Sequence, residues 1–358
     1  MKGLTMTIDT IDSTRLEEFL GRAVTDLAAA ESAAATYLGD RLGLYRAMAT
    51  GERMTAGELA SRTGTNERLV LEWLRNQTVG GYVDHADGSF WLPPEHAEAL
   101  AHEASPYFLG GAFEIIAAIW ADAEKLEGAF RGDGAIAWGA HDPRLYRGVE
   151  RFYGATYRSS LVQAWLPALD GVVERLERGA LVADIGCGYG LSTAVMAAAY
   201  PSSTFVGYDN HPASIDAARE RSAEVGVSDR VTFELRAATE VPARGFDLAC
   251  FFDSLHDMGD PVGAAAAARA SLADDGVLLV VEPRAADRLE DNVGPVARTY
   301  YAGSTFLCTP SALAQEGHHA LGAQAGPAAL TEVLNAAGFS RVRVAAETPF
   351  NLVLEARR

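Results

Sequence analysis

The stretch LVADIGCGYG, residues 181–190, constrains this chain more than any other. A short apolar run ends on a carboxylate, Asp184, and Gly186, Gly188 and Gly190 then lead into a segment of helical character from Leu191. Glycine is needed where the backbone takes positive φ or approaches a ligand with no Cβ in the way. A strand, a glycine turn and a helix in that order belong to an open parallel sheet, which binds ligands beyond the carboxyl ends of its strands. The spacing also separates ligand classes. A dinucleotide fingerprint, G-x-G-x-x-G, would need its third glycine at position 191, which is Leu. Here the pattern is Asp-x-Gly-x-Gly-x-Gly, and an acidic residue ahead of the loop suits a cationic ligand tail, whereas it would repel a pyrophosphate.

From residue 179 onward strand-like and helix-like segments alternate: ALVADIG, STAVMAAAY, TFVGYD, PASIDAARERSAEVG, VTFEL, FDLACFFD, an Ala-rich run from Pro261, and GVLLVVEP. This texture predicts a doubly wound α/β sheet. TFVGYD ends at Asp209, where a carboxylate in such a sheet accepts both hydroxyls of a ribose. VTFELRAATEVP supplies a further strand and a polar turn able to hold an adenine edge.

The front of the chain reads differently. Residues 15–50 are rich in Ala and Leu at helical spacing, TAGE at 55–58 is a capping-box signal, and Gly64 stops the short helix that follows. A second helix runs through ERLVLEWLRNQTVGG, with Leu69/Trp73 and Val70/Leu74 as apolar pairs expected on one face. YVDHADGSFWLP then reads as a hairpin about Asp87-Gly88. Helix, turn, helix and hairpin make a winged-helix pattern, which raises DNA binding as a question. The second helix alternates Glu67, Arg68, Glu72 and Arg75, so it lacks the basic face that phosphates require, and the whole chain carries a net charge of -18. A packing and dimerising module is expected instead, with no nucleic acid or anionic membrane as partner.

With 49% hydrophobic residues the chain can bury a large core, and its length predicts two globular units. No stretch supplies the roughly 20 uninterrupted apolar residues of a membrane span and the first residues lack a secretory apolar region, so the protein is expected in the cytoplasm. Cys187, Cys250 and Cys308 are odd in number and far apart, which fits reduced thiols. His318-His319 has no carboxylate or thiol at ligand spacing, and no metal is expected.

FFDSLHDMGDP, 251–261, places Asp253, His256 and Asp257 at the end of the fourth strand of the sheet. Histidine titrates near neutrality and suits proton removal, but it can equally terminate a strand by packing. Glu282 and Arg284, after GVLLVV, lie on the same edge of the sheet by topology and are candidates to orient an acceptor or the histidine. Aromatic helices over 105–165, with Phe108, Phe113, Trp120, Tyr153 and Tyr157, and a segment over 295–326, with Tyr300, Tyr301, Phe306 and Cys308, are expected to close a pocket.

Asp184-Ile-Gly-Cys-Gly-Tyr-Gly, Asp209 and FDLACFFDSLHD together resemble the class I S-adenosylmethionine-dependent methyltransferases over about residues 165–358. With its winged-helix front, the chain resembles the bacterial small-molecule subgroup that dimerises through such a domain. The resemblance implies a Rossmann-like seven-stranded sheet with an antiparallel last strand, preceded by an α-helical winged-helix domain. It divides the chain into a dimerisation domain at 1–105, a helical connector contributing to the substrate pocket at 106–165 and a methyltransferase domain at 166–358. Asp184 and the backbone of Gly186, Gly188 and Gly190 would face the methionine moiety, Asp209 the ribose, and Asn210, Ala237 and Ala238 the adenine, with Asp253 beside the methyl group. Where many members carry an acidic residue for the adenine amino group, this chain reads Arg236-Ala237-Ala238-Thr239, leaving that contact to backbone groups or Thr239. His256 would be the base, with Glu282 beside it, although Met258 replaces the aromatic residue usual after His-Asp. Tyr157, Arg284, Tyr301 and Phe306 would bind the acceptor, a small aromatic or apolar metabolite of secondary metabolism. O-methylation leads, with N- or C-methylation as alternatives and, from another class, a winged-helix regulator that binds the cofactor without catalysis.

Overall fold

The computed structural model describes residues 11–358, and the chain divides into two compact units, the first ending at Ala117 and the second spanning Ala118–Arg358. The division falls inside one helix, Gly110–Ala121, within the stretch read from sequence as a connector. Among the described residues no helix is long and apolar enough to cross a membrane.

In the first unit α1 (Ser13–Arg41), α2 (Leu44–Met48), α3 (Ala56–Thr63) and α4 (Glu67–Val79) precede a hairpin of β1 (Asp84–Ala86) and β2 (Ser89–Trp91). The capping box forms as written in the sequence: the Thr55 amide donates to Glu58 Oε2 at 2.7 Å, and the Glu58 amide donates to Thr55 Oγ1 at 3.3 Å. Gly64 ends α3 in the left-handed region and Asn66 caps α4. Asp87 and Gly88 both have positive φ, as a two-residue primed turn demands. A bridge between Met54 and Phe90 adds a third edge to the wing. One expectation is corrected here. Val70, Trp73, Leu74 and Gln77 form the buried face of α4, and Leu69 is 71% exposed, because the i, i+3, i+4, i+7 stripe begins one residue later than the paired reading placed it.

The second unit is built on a sheet in the order β5-β4-β3-β6-β7-β9-β8. Its strands are β3 (Leu181–Ile185), β4 (Thr204–Asp209), β5 (Val231–Leu235), β6 (Phe246–Phe252), β7 (Leu272–Pro283), β8 (Arg341–Glu347) and β9 (Asn351–Arg357). All pairings are parallel except those of β9 with β7 and β8. Alternate strand residues feed two cores, which is why the strands read as continuous apolar runs. Val182, Phe205, Leu248, Leu279 and Val281 meet Trp165, Leu176, Met196 and Ile215 on one face. Ala183, Val206, Phe251, Val280 and Leu354 meet Ala264, Ala268, Leu330 and Leu334 on the other. The helices on the first face include α5 (Leu191–Ala199) and α6 (Pro212–Glu224), and on the second α7 (Pro261–Ser271) and α8 (Gly326–Ala336). Two helices run into wider π-helical turns, at Tyr157–Trp165 and at Ser304–Cys308, a device found often beside functional sites.

Candidate active site

The glycine loop leaves β3 with the Gly186 and Cys187 amides donating to the Tyr208 carbonyl at 2.8 and 3.0 Å. A Cβ at Gly190 would stand 2.7 Å from the Phe233 ring, and one at Gly186 2.8 Å from Ser254, so the loop lies flush on its neighbours. Gly188 has nothing within 4 Å of such a Cβ and forms the open side. Its amide donates to Asp209 Oδ2 at 2.9 Å, while Asp209 Oδ1 accepts from the His211 amide at 2.8 Å. Each oxygen of a carboxylate has two acceptor directions, so Asp209 ties the loop to β4 and retains capacity for a diol. The Arg236 amide donates to the Asp209 carbonyl at 2.9 Å, which anchors the Ala237-Ala238 turn alongside, and Asn210 is exposed between them.

Asp184 is buried, its Oδ2 accepting from Ser192 and Thr193 at 2.7 and 2.6 Å. Its Oδ1 has no hydrogen-bond partner among the described residues. Burial pushes its pKa up to about 6, against the two hydroxyl bonds that pull it down. Asp184 lies two residues ahead of the first loop glycine, and an orphaned acceptor there fits a ligand that brings an ammonium or amine group. Ser192 and Thr193 were missed from sequence, although hydroxyls in the first turn after a glycine loop were the available signal.

The second half of the site forms where β6 and β7 end. Asp253 follows β6 with φ 49°, a conformation that aspartate tolerates better than most side chains, and its amide donates to the Val281 carbonyl at 2.7 Å. Asp253 Oδ1 accepts from Asn351 Nδ2 at 3.1 Å. Asn351 comes from β9 and pairs in register with Pro283, next to Glu282. Glu282 Oε1 accepts from the Leu255 amide at 3.0 Å and Oε2 pairs with His256 Nδ1. His256 Nε2 lies 3.1 Å from Asp257 Oδ1. Burial alone would lower the imidazole pKa, but Glu282 and Asp257 together outweigh it and hold His256 well above its ordinary value. The ring nitrogen, the Asp257 carboxylate and the Cys308 sulfur lie within 4.8 Å of one another.

An aromatic wall encloses this end. Tyr153 and Tyr157 stack with centroids 6.2 Å apart, and Tyr157 also meets Phe252 at 5.8 Å and Trp165 at 6.0 Å. Desolvation raises both tyrosines well above their usual range, and the charge of Asp253 adds to it. From the 295–326 segment, Tyr300 and Cys308 are the groups near enough to Asp253, His256 and Asp257 to feel their charge. Tyr301 instead receives the Asn292 amide at 3.5 Å and Phe306 is half-buried. Arg284 is not in the group: its side chain is 54% exposed and pairs with Glu347 at 3.5 Å. His318 is occupied locally, its Nδ1 bonded to the Leu313 carbonyl at 2.8 Å. A second buried imidazole went unread in the sequence. His141 bonds Asp122 Oδ2 through Nδ1 at 3.0 Å, and its Nε2 is unpartnered among the described residues.

Family comparison agrees with this geometry: a methyltransferase domain model matches residues 176–338 and an Rv2258c-like winged helix-turn-helix model matches residues 30–102. Residues 176–338 thus resemble a methyltransferase domain, and the residues ahead of them a winged helix. The trans-aconitate 2-methyltransferase of Methylobacterium radiotolerans is 32% identical over 160 residues, which is 44% of this chain and 57% of that protein. The chain thus spans little more than half the length of that relative. Among solved structures, a candidate O-methyltransferase from Nostoc punctiforme superposes with a TM-score of 0.73 at 18% identity, covering 94% of this chain and 98% of that one. Human N-acetylserotonin methyltransferase, solved in complex with S-adenosylmethionine, gives a TM-score of 0.65 at 17% identity, with 99% of each chain covered. At these identities the superpositions establish the fold. The loop, the orphaned oxygen of Asp184 and the spare capacity of Asp209 fit a ligand that carries an amine and a ribose diol, as S-adenosylmethionine does.

Proposed function

We propose that this chain is a methyltransferase that transfers a methyl group to an oxygen of a small, largely apolar or aromatic acceptor, with His256 taking the acceptor's proton. The observation that carries the reading is the pairing of His256 Nδ1 with buried Glu282 at the carboxyl end of the sheet that also presents Asp184, the glycine loop and Asp209. When bound, the cofactor supplies an activated methyl on a sulfonium. The protein's part is to hold the acceptor in line, exclude water and accept a proton at Nε2. Glu282 fixes the ring through Nδ1, which leaves Nε2 beside Asp257, and the Tyr153–Tyr157 wall supplies a dry, apolar surface for a ring. The substrate in the relative's name belongs to that protein and is not carried over.

Binding of S-adenosylhomocysteine tests the cofactor site. Wild-type protein is expected to bind it in a calorimeter, and Asp209→Ala to lose affinity on the order of 100-fold, the worth of two hydrogen bonds to a charged group. Asp209→Asn should retain part of it, and wild-type protein that does not bind would sink the reading.

The front unit is proposed to dimerise the enzyme within the cytoplasm and not to bind nucleic acid. In α4 the cations are spent internally, Arg68 and Arg75 both pairing with Glu72 at 2.5 and 2.7 Å. Along α1, Leu16, Phe19, Leu20, Val24 and Leu27 are 43–63% exposed, an apolar stripe that a soluble monomer rarely leaves bare. Leu20→Glu with Val24→Glu is expected to convert a dimer to a monomer by light scattering. A wild-type monomer, or a double variant that stays dimeric, would refute this assignment.

A further inference from the structure

The charge balance at the end of β6 is uneven. Asp253 is half-buried, one oxygen held by Asn351, while Oδ2 is shielded from water with no hydrogen-bond partner among the described residues. The groups that face it come from every element around it. They are Glu282 on β7, His256 and Asp257 on the turn after β6, and the phenols of Tyr153, Tyr157 and Tyr300. His256 is the one cation among these, and Glu282 already claims it. A buried carboxylate without a partner is costly, and a chain that retains one at a ligand site has a reason to do so. The position supplies that reason. Ser254, the next residue, donates to the Ile185 carbonyl at 3.0 Å and touches the site a Gly186 Cβ would occupy, so Asp253 stands beside the mouth of the glycine loop. Its backbone is held at positive φ to stand there. Tyrosine phenols and an unpartnered carboxylate oxygen gathered at one point favour a cation there.

We propose that Asp253 distinguishes the charged cofactor from its neutral demethylated product, its unsatisfied oxygen serving as the counter-charge of the sulfonium. The inference rests on the methyltransferase reading and adds a selectivity to it. After transfer the sulfur is a neutral thioether, the counter-charge has nothing to balance, and the product is released from a site that has become unfavourable to the anion. Burial, reinforced by Glu282, raises the Asp253 carboxyl well above its usual range, which favours its protonated form in the free protein more than in an exposed aspartate. Binding of the sulfonium form is therefore coupled to release of a proton to solvent, and binding of the thioether form is not.

Calorimetric titration of the full chain with S-adenosylmethionine and with S-adenosylhomocysteine tests this. In Asp253→Asn the ratio of the two affinities is expected to fall about tenfold, through weaker binding of the sulfonium form alone. Independently of any variant, titrations of wild-type protein in phosphate and in Tris are expected to differ in apparent enthalpy for S-adenosylmethionine and to agree for S-adenosylhomocysteine. An unchanged affinity ratio in the variant, or equal proton release with both ligands, would overturn the inference while leaving the methyltransferase reading intact. Failure of wild-type protein to bind either ligand would overturn both.

Discussion

Replacing His256 by Ala is expected to lower the rate of methyl transfer to a hydroxylated aromatic acceptor by roughly 100- to 1,000-fold, the ordinary worth of a positioned base. The affinity for S-adenosylhomocysteine should stay within about threefold of wild type, since the imidazole faces the acceptor end of the site. A histidine that only terminates β6 would give the opposite pattern, a loss of stability with little change in rate per folded molecule. The pH profile separates these further. Burial lowers the His256 pKa, but Glu282 and Asp257 raise it by more, so the base form grows only above the ordinary imidazole range. The rate is therefore expected to climb with pH along a limb that lies above the ordinary imidazole value of ~6.5. In Glu282→Gln the strongest charge that holds the proton is gone, and the limb should move to lower pH. A limb that does not move would show that Glu282 does not act through the histidine.

The glycines of the loop are expected to fail in two distinct ways. Gly190→Ala puts a methyl group 2.7 Å from Phe233 and 2.8 Å from Ala218, in a backbone at φ 71°. Left-handed strain of ~1–2 kcal/mol and overpacking of ~1–3 kcal/mol add to about 2–5 kcal/mol of lost stability. For a domain of this size that is a fall in Tm of roughly 5–15 °C. Gly188→Ala meets nothing within 4 Å and should barely move Tm beyond the cost of its own φ of 53°. Its methyl group enters the open side of the loop, and the expected loss is of cofactor affinity, about tenfold or more. Thermal melts and calorimetry on the two proteins check the pair. Equal melting temperatures would mean that Gly190 does not seal the loop against β5.

Much of this was legible because strongly punctuated segments leave few choices. LVADIGCGYG gave strand, turn and helix with their boundaries, since two buried faces demand a continuous apolar run and only glycine takes the turn. The capping box at Thr55 and the turn at Asp87-Gly88 are likewise local chemistry. What was hidden depends on phase or on distant partners. Leu69 and Val70 are both apolar, and only packing against α1 and α2 decides which faces inward. Tyr300 and Cys308 feel the charges of Asp253, His256 and Asp257, and the π-helical turn at Ser304–Cys308 sets the phase of Cys308 in a way no regular helical period gives. Asn351 and His141 bond residues about 100 and 20 positions away, which no spacing rule anticipates. Arg284 lies one residue beyond the end of β7, which sufficed to send its side chain to the surface.

β9 is the last strand in chain order, yet it lies between β7 and β8, and Asn351 at its head holds Asp253. Synthesis from the amino end therefore delivers the acid, the histidine and the glycine loop well before the strand that locks them. Until β9 inserts, β7 presents an open edge at Val277–Val281, one of the most apolar runs in the chain. Such an edge invites pairing with another chain. The active centre can thus be completed only once the last strand has been made, and an unpaired β7 edge before then is an aggregation hazard.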